Sequence, residues 1–532
     1  MPTSAGNAQG EKRSTPGKGA AFTVALGIFL SRISGLVRDR VFAHYFGNSD
    51  AADAFRAAFR IPNFLQNLFG EGVLSASFIP VYARLNAEQR HDEASETAEA
   101  TFVFLFLITS LLVVVGIFAA PWLIDAIAPG FSGDKRLLTV RLVQILFPGA
   151  GLLVFSAWCL GILNSHRRFL LSYMAPIIWN AAIIAAFLWK GGHQTQSHLA
   201  ITVALGSVVG SALQFLVQLP TVIRFLRPIH LPKTLGSEHV RSVVKNFFPV
   251  FVSRGVVQIS AYIDSLLASF LPTGAVAALG YAQTLYSLPV SLFGMSVSAA
   301  ELPAMSSALG SADEIAAALR QRLSNGLQQI AFFVVPSAAA FLFLGNVVVA
   351  TIYRSGQFTT RDVTYVWGVL AGSAVGLLAS TSGRLYSSAF YALRDTRTPL
   401  KFAVVRVALT LVLGYFAALP LPPLLGLDRR WGVAGLTLSA GIAGWIEFTL
   451  LRSSLQKRIG EVPYSVSRLV KMWIAALVAA AAAYGIETLM RGRSSLLVGA
   501  CVLIPYGAIY LLLTQLMGVS MAEGLWRRLR RS

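Results

Sequence analysis

Residues 102–124 read FVFLFLITSLLVVVGIFAAPWLI. A stretch of that length without one charged side chain has the dimensions of a helix crossing a bilayer, which takes about 20 apolar residues. It is too long and too uniformly apolar for a strand of a membrane barrel, where sidedness would alternate. Working outward from it, comparable runs recur along all 532 residues. Fourteen spans are expected, at roughly 21–45, 52–82, 99–127, 138–163, 169–190, 199–224, 243–271, 275–306, 327–352, 363–391, 400–421, 432–453, 466–490 and 495–517. Short joints with turn chemistry separate them, such as Gly47-Asn48-Ser49, Pro272-Thr273-Gly274 and Arg491-Gly492-Arg493.

The composition agrees. The chain is 55% hydrophobic and 13% charged, where soluble proteins carry about 25% charge. Lys and Arg number 44 against 24 Asp and Glu, a net charge of +20. In a soluble chain that excess would suggest nucleic acid, but a duplex binder has no use for so much apolar surface. Cys159 and Cys501 lie inside apolar runs, as packing residues do.

The basic residues are unevenly placed. With the N-terminus inside, the inner segments hold about 24 of them and the outer joints about 9, so both termini are expected to be cytoplasmic. Residues 1–20 are expected to be a disordered basic tail, with no cleavable signal after it, and 518–532 a second basic tail. About 11 basic residues remain at membrane depth, where each costs roughly 2.5–3.5 kcal/mol on insertion scales. Arg40, Arg141, Lys245 and Lys471 lie near span ends and are expected to snorkel to the head groups. Arg32, Arg38 and Arg254 lie deeper. A helix broken at Gly35 would turn Arg32 and Arg38 inward together, with Asp39, Asp53, Arg56, Arg60 and Glu71 nearby. Such a cluster is either a cavity for an anionic ligand or a closed set of ion pairs; the first is preferred, because the guanidinium fork suits phosphate oxygens. Arg254, Gln258 and Asp264 share a helix face in span 7. Asp264 is an ion or proton site there, or the partner of Arg254.

A repeat links spans 2 and 8. Pro62, Phe69-Gly70 and Pro80 in the first match Pro289, Phe293-Gly294 and Pro303 in the second. Six spans separate them, so the two halves share one orientation, as in transporters that bind substrate between repeats. The expected architecture is all-helical and polytopic: two six-helix lobes, 21–226 and 239–453, and a C-terminal helix pair, 466–517. Gly206/Gly210 and Gly372/Gly376 allow close helix packing. No phosphate loop, dinucleotide fingerprint or zinc spacing occurs, so no cofactor and no enzyme activity are expected. Energy would come from the membrane potential or an ion gradient.

Ser31-Arg32-Ile33-Ser34-Gly35-Leu36-Val37-Arg38-Asp39, Asp53-Ala54-Phe55, Ile61-Pro62-Asn63 and Phe69-Gly70-Glu71-Gly72 resemble the first two helices of the MurJ/MviN lipid II flippase family. The joint Phe390-Tyr391-Ala392-Leu393-Arg394-Asp395-Thr396-Arg397-Thr398-Pro399 resembles that family's segment after span 10. The resemblance runs from about 22 to 520. It implies membership of the multidrug/oligosaccharidyl-lipid/polysaccharide exporter superfamily and movement of lipid II across the inner membrane by alternating access, for peptidoglycan synthesis. It implies lipid II and membrane lipids as partners, no nucleic acid, and proximity to the cell-wall machinery. Spans 13–14 are then expected to guide the prenyl tail. Arg32, Arg38 and Arg254 are assigned to the diphosphate; Ser31, Gly35, Asp39, Asp53, Asn63, Gln66, Glu71 and Thr284 to orienting or gating; and Asp264 to ion coupling. The chain departs from the family pattern at Gln66 and Thr284, where arginines are usual, and Arg254 is expected to supply the missing cation. Thr410 and Gly414 stand where the family's sodium ligands in span 11 would be. The alternative reading is an exporter of other polyprenyl-diphosphate-linked sugars, of O-antigen type, or of drugs.

Overall fold

The structure, a computed structural model, describes residues 18–74, 77–226, 241, 243, 245, 247, 262–307, 311–490, 492–519 and 521, with the backbone alone for 18–25, 62 and 70–73. Among them every long element is helical. The first half holds α1 (Lys18–Phe46), α2 (Asp50–Gln66), α3 (Ile79–Ala87), α4 (His91–Ile127), α5 (Gly133–Ser165), α6 (Phe169–Lys190) and α7 (Gln196–Phe225). The second holds α8 (Ile263–Ser269), α9 (Ala275–Pro289), α10 (Ser296–Ser306), α11 (Ala312–Phe343), α12 (Gly345–Tyr353), α13 (Thr360–Val375), α14 (Leu377–Ala392), α15 (Arg397–Ala418) and α16 (Gly432–Ile459). The last pair is α17 (Val466–Leu489) and α18 (Ser495–Leu516).

Ten helices among the described residues are long and apolar enough to cross a membrane, or eleven if α13 and α14, bent by 41°, form one span. The expected fourteen also counts α1, the interrupted run from α2 to α3, and 243–271, most of which lies outside the described residues. α1 has 29 residues, about 43 Å at 1.5 Å per residue, ample for a crossing. It runs without interruption through Gly35, so the expected break there does not exist: i→i+4 bonding tolerates one glycine inside a long apolar helix.

In the first half α5 is central, packed on α2, α4 and α7, while α6 lies against α1 and α7. In the second half α16 takes that place against α13, α14 and α15. The C-terminal pair seats on α11 and α12, where Tyr506 and Tyr510 hydroxyls donate to the Pro336 and Phe332 carbonyls at 2.6 and 2.7 Å. The small-residue faces pack as their sequence suggests. A Cβ on Gly206 would lie 2.6 Å from Ala186 Cβ, and one on Gly376 2.5 Å from Gly441 Cα. Helices approach this closely only where a side chain is missing.

The sequence repeat has a backbone counterpart. α2 passes directly into a π-helical segment, Asn67–Leu74, and α9 into another, Val290–Met295. Each contains its Phe-Gly pair, Phe69-Gly70 and Phe293-Gly294. π-helical turns are rare and concentrate at functional sites, so their recurrence at matching places is stronger evidence of a repeat than the residues alone.

Candidate functional site at the seam between the halves

The two halves meet along α1 and α2 on one side and α9 and α12 on the other. One end of this seam is latched. Asp53, 1% exposed, accepts the Gly274 and Ala277 amides at 2.8 and 2.7 Å, so a carboxylate of the first half caps the N-terminus of α9. Lys135 pairs with Asp53 at 2.5 Å and Asp50 at 3.0 Å. A carboxylate at a helix N-terminus satisfies orphan amides and opposes the positive end of the dipole. Gly274 takes φ +89°, and a Cβ there would lie 2.7 Å from the Asn48 carbonyl oxygen. Asn48 donates to Asp362 at 3.1 Å, the Tyr281 hydroxyl to the Gly47 carbonyl at 2.8 Å, and the Gln357 amide to the His44 carbonyl at 2.8 Å.

Further along the seam Arg40 Nη1 donates to the Thr351 and Ile352 carbonyls at 2.7 and 2.8 Å. It thereby closes the C-terminal turn of α12 in the opposite half. Arg40, expected to snorkel, thus directs its guanidinium to two terminal carbonyls of a helix in the other half. Lys471 behaves alike, donating to the Met517 carbonyl at the end of α18 at 2.9 Å.

Deeper lies the ionic cluster. Arg38 grips Asp39 Oδ1 through Nε and Nη2 at 3.2 and 3.0 Å, and Nη1 donates to Asn180 Oδ1 at 3.1 Å. Asn180 donates to the Ser34 hydroxyl at 2.8 Å, which donates to the Ser31 carbonyl at 2.8 Å. The chain of donors fixes the Arg38 guanidinium, with the Phe59 and Trp179 rings 5.8 and 5.5 Å away. The Arg38 side chain stays 20% exposed. The other Asp39 oxygen accepts from Thr284 of α9 at 2.9 Å and pairs with Arg56 at 3.5 Å. Arg56 lies over the Phe42 and Tyr281 rings at 4.6 and 5.0 Å. Its Nε and Nη2 make no hydrogen bond among the described residues. A guanidinium held by one longer ion pair and two ring faces is charged and desolvated, with donors left over.

The expected residues thus separate. Ser31, Arg38, Asp39 and Thr284 come together, Asp53 belongs to the latch, and Arg32 and Gly35 stand on the open face of α1. Arg32 is exposed, and no atom lies within 4 Å of where a Gly35 Cβ would be. Asn63 and Gln66 are half-buried in the last turns of α2. Glu71 falls in the π-helical segment, where only the backbone is described, and Arg254 lies outside the described residues. Asp264 is at the start of α8, and its Oδ1 is buried with no hydrogen-bond partner among the described residues. Sequence reading counted Arg56 in the basic cluster without giving it a role, and left Asn180 and Trp179 out. Asp53, Arg56 and Arg60 at i, i+3 and i+7 share a helix face, which was the available signal; Asn180, a lone amide among apolar residues 169–190, was another.

The family profile described as "Lipid II flippase MurJ" matches residues 42–507. The lipid II flippase MurJ of Burkholderia cenocepacia is 33% identical over 450 residues, covering 82% of this chain and 84% of its own. The probable lipid II flippase MurJ of Rhizobium meliloti is 31% identical, over 85% of this chain and 84% of its own. Among solved structures, a lipid II flippase MurJ in an inward closed conformation superposes with TM-score 0.76 at 25% identity, covering 94% of this chain and 99% of that one. An inward-facing multidrug resistance MATE transporter of the MOP superfamily gives 0.62 at 16% identity over 82% of this chain, a likeness of fold. With a profile spanning most of its length and relatives of this similarity, the chain belongs to the MurJ family of lipid II flippases.

Proposed function

We propose that this chain carries lipid II from the inner to the outer leaflet of the inner membrane by alternating access across the seam. The observation that carries the reading is the Arg38–Asp39–Arg56–Thr284 cluster at the join of the halves, with Arg32 exposed beside it. A diphosphate needs converging guanidinium groups. Here Arg38 is preorganised by Asn180, and Arg56 has unused donors. At one of the two vacant family positions Thr284 holds Asp39 in place of a cation, while Arg56 brings charge to the same carboxylate from α2. With both termini cytoplasmic, the latched end faces outward and cargo enters from the cytoplasmic leaflet. Opening the latched end withdraws Thr284 from Asp39 and Tyr281 from Arg56, which strips a donor from the carboxylate and a ring from the guanidinium as the cavity reorients. The prenyl tail follows the face of α17 and α18, the chain catalyses no bond change, and the membrane potential or an ion gradient drives the cycle, with Asp264 as the candidate coupling group.

The test replaces an essential lipid II flippase with this chain and follows lipid II on the outer leaflet. The parent restores outer lipid II and growth. Arg38→Ala abolishes both at normal protein levels, and Arg56→Ala reduces flux. A parent that inserts correctly yet leaves lipid II inside overturns the reading.

A further inference from the structure

A cavity of about 550 Å³ opens at the unlatched end of the first half, between the α5–α6 joint and the last turn of α7. Arg167, Arg168 and Arg224 line it with Thr221, and Phe169, Leu170, Leu171 and Phe225 form its apolar wall. No carboxylate lines it, and among the described residues none of the three arginines has an ion-pair partner. Some exposed arginines elsewhere do, Arg136 with Asp125 at 2.7 Å and Arg458 with Asp395 at 2.7 Å, while Arg354 and Arg493 at the other end also have none among the described residues. Arg167 holds φ +58°, an uncommon backbone state for a residue with a side chain, which turns two successive arginines out at the start of α6. The α6 N-terminus has no side-chain cap, so its first amides add positive character to the same place. The wall is fixed from behind: His166 stacks on Phe225 at 4.1 Å between centroids and shares a 2.8 Å hydrogen bond with the Tyr82 hydroxyl.

We propose that this cleft holds the phosphodiester of an anionic phospholipid. Converging guanidinium groups around a helix N-terminus select a phosphate. A free inorganic anion would have no use for the phenyl and leucyl wall, whereas a lipid lays its glycerol and first methylenes there; Leu170 is 47% exposed beside it. The volume is that of a small-ligand site. The inference rests on the orientation proposed above only in naming the cytoplasmic leaflet, where anionic lipids meet basic clusters. Neither the seam nor its arginines enters the site.

The test is native mass spectrometry of the full chain in detergent with phosphatidylglycerol or phosphatidylcholine. The Arg168→Gln/Arg224→Gln variant is expected to hold phosphatidylglycerol about tenfold less tightly, with phosphatidylcholine unchanged. Arg354→Gln/Arg493→Gln, at the other end of the molecule, leaves both unchanged. Equal retention by parent and double variant overturns the proposal, and so does displacement of the lipid by millimolar inorganic phosphate, which would mark a free-anion site. Leu170→Trp, with every arginine intact, gives a reading that does not depend on the double variant folding. Its fluorescence is expected to be quenched more by tail-brominated phosphatidylglycerol than by brominated phosphatidylcholine, and equal quenching overturns the proposal. Lipid II transport is a separate readout, so loss of lipid retention with transport intact leaves the proposed function standing.

Discussion

The two ends of the bundle are built differently. At the latched end, polar bonds run between the halves: Asp53 to the α9 amides, Asn48 to Asp362, Tyr281 to Gly47, Arg40 to α12. At the opposite end, among the described residues, Tyr82 with His166, Arg322 with Glu301 and Arg458 with Asp395 are ties within one half, and Arg468 with Gln328 joins the C-terminal pair to the second half. Among the described residues, rings also meet across the halves there, Phe247 against Phe69 and Phe104. Directional bonds define one closed geometry and break together, whereas ring contacts slide. The polar bonds of the latched end are therefore placed to break together.

The largest test of that contrast is Asp53→Asn. It removes the charge that answers Lys135 and the α9 N-terminus, and breaking a buried pair from one side costs about 3–5 kcal/mol. Spin-label distances across the latched end are expected to lengthen in most molecules, with transport lost; an unchanged distance distribution breaks the comparison. Gly274→Val comes next. It puts a branched side chain at φ +89° against the Asn48 carbonyl, with a strain of about 1–3 kcal/mol. The same distances should broaden without a full shift. Arg40→Ala leaves two carbonyls of α12 without their donor, about 1–3 kcal/mol for an unsatisfied buried group. Partial opening and a lower melting temperature are expected, and an effect on melting alone would place Arg40 outside the gate.

The smallest effect belongs to the unlatched end. Bonds from the Thr398 hydroxyl and amide, with Arg458 alongside, hold the Asp395 carboxyl at about 2, below its ordinary 3.8. A depressed folded pKa stabilises the fold above the ordinary carboxylate range, and the benefit is lost as pH falls from about 4 to 2. Asp395→Asn should therefore melt slightly lower at neutral pH and match the parent at the acid end, with spin-label distances unchanged throughout. A change in those distances would show that the ends are coupled.

The Asp395 segment also shows where sequence pattern and physical role part. Its residues carried part of the family resemblance, yet Asp395 accepts the Arg397 and Thr398 amides at 3.0 Å and so caps the start of α15. That is a local turn, legible from an Asp followed by Thr and Pro. The π-helical segments were legible only as Phe-Gly flanked by Pro, since a change from i+4 to i+5 bonding leaves no residue signature of its own. Arg38 and Asp39 could be placed at depth by counting, but Asn180, 142 residues away from Arg38, could not be paired with it by any spacing rule.

By itself, then, the sequence determined the membrane class, the repeated halves and the cost of charge at depth, because apolar length and residue type are local quantities. The tertiary structure decided what each charge does. Arg38 is held by Asp39 and Asn180, Arg56 lies buried over two rings with donors unused, Arg40 closes a helix of the other half, and Asp53 latches the seam. Those roles depend on which helix ends and side chains the fold brings within about 3 Å, and hydrogen bonds and ion pairs act only at that range.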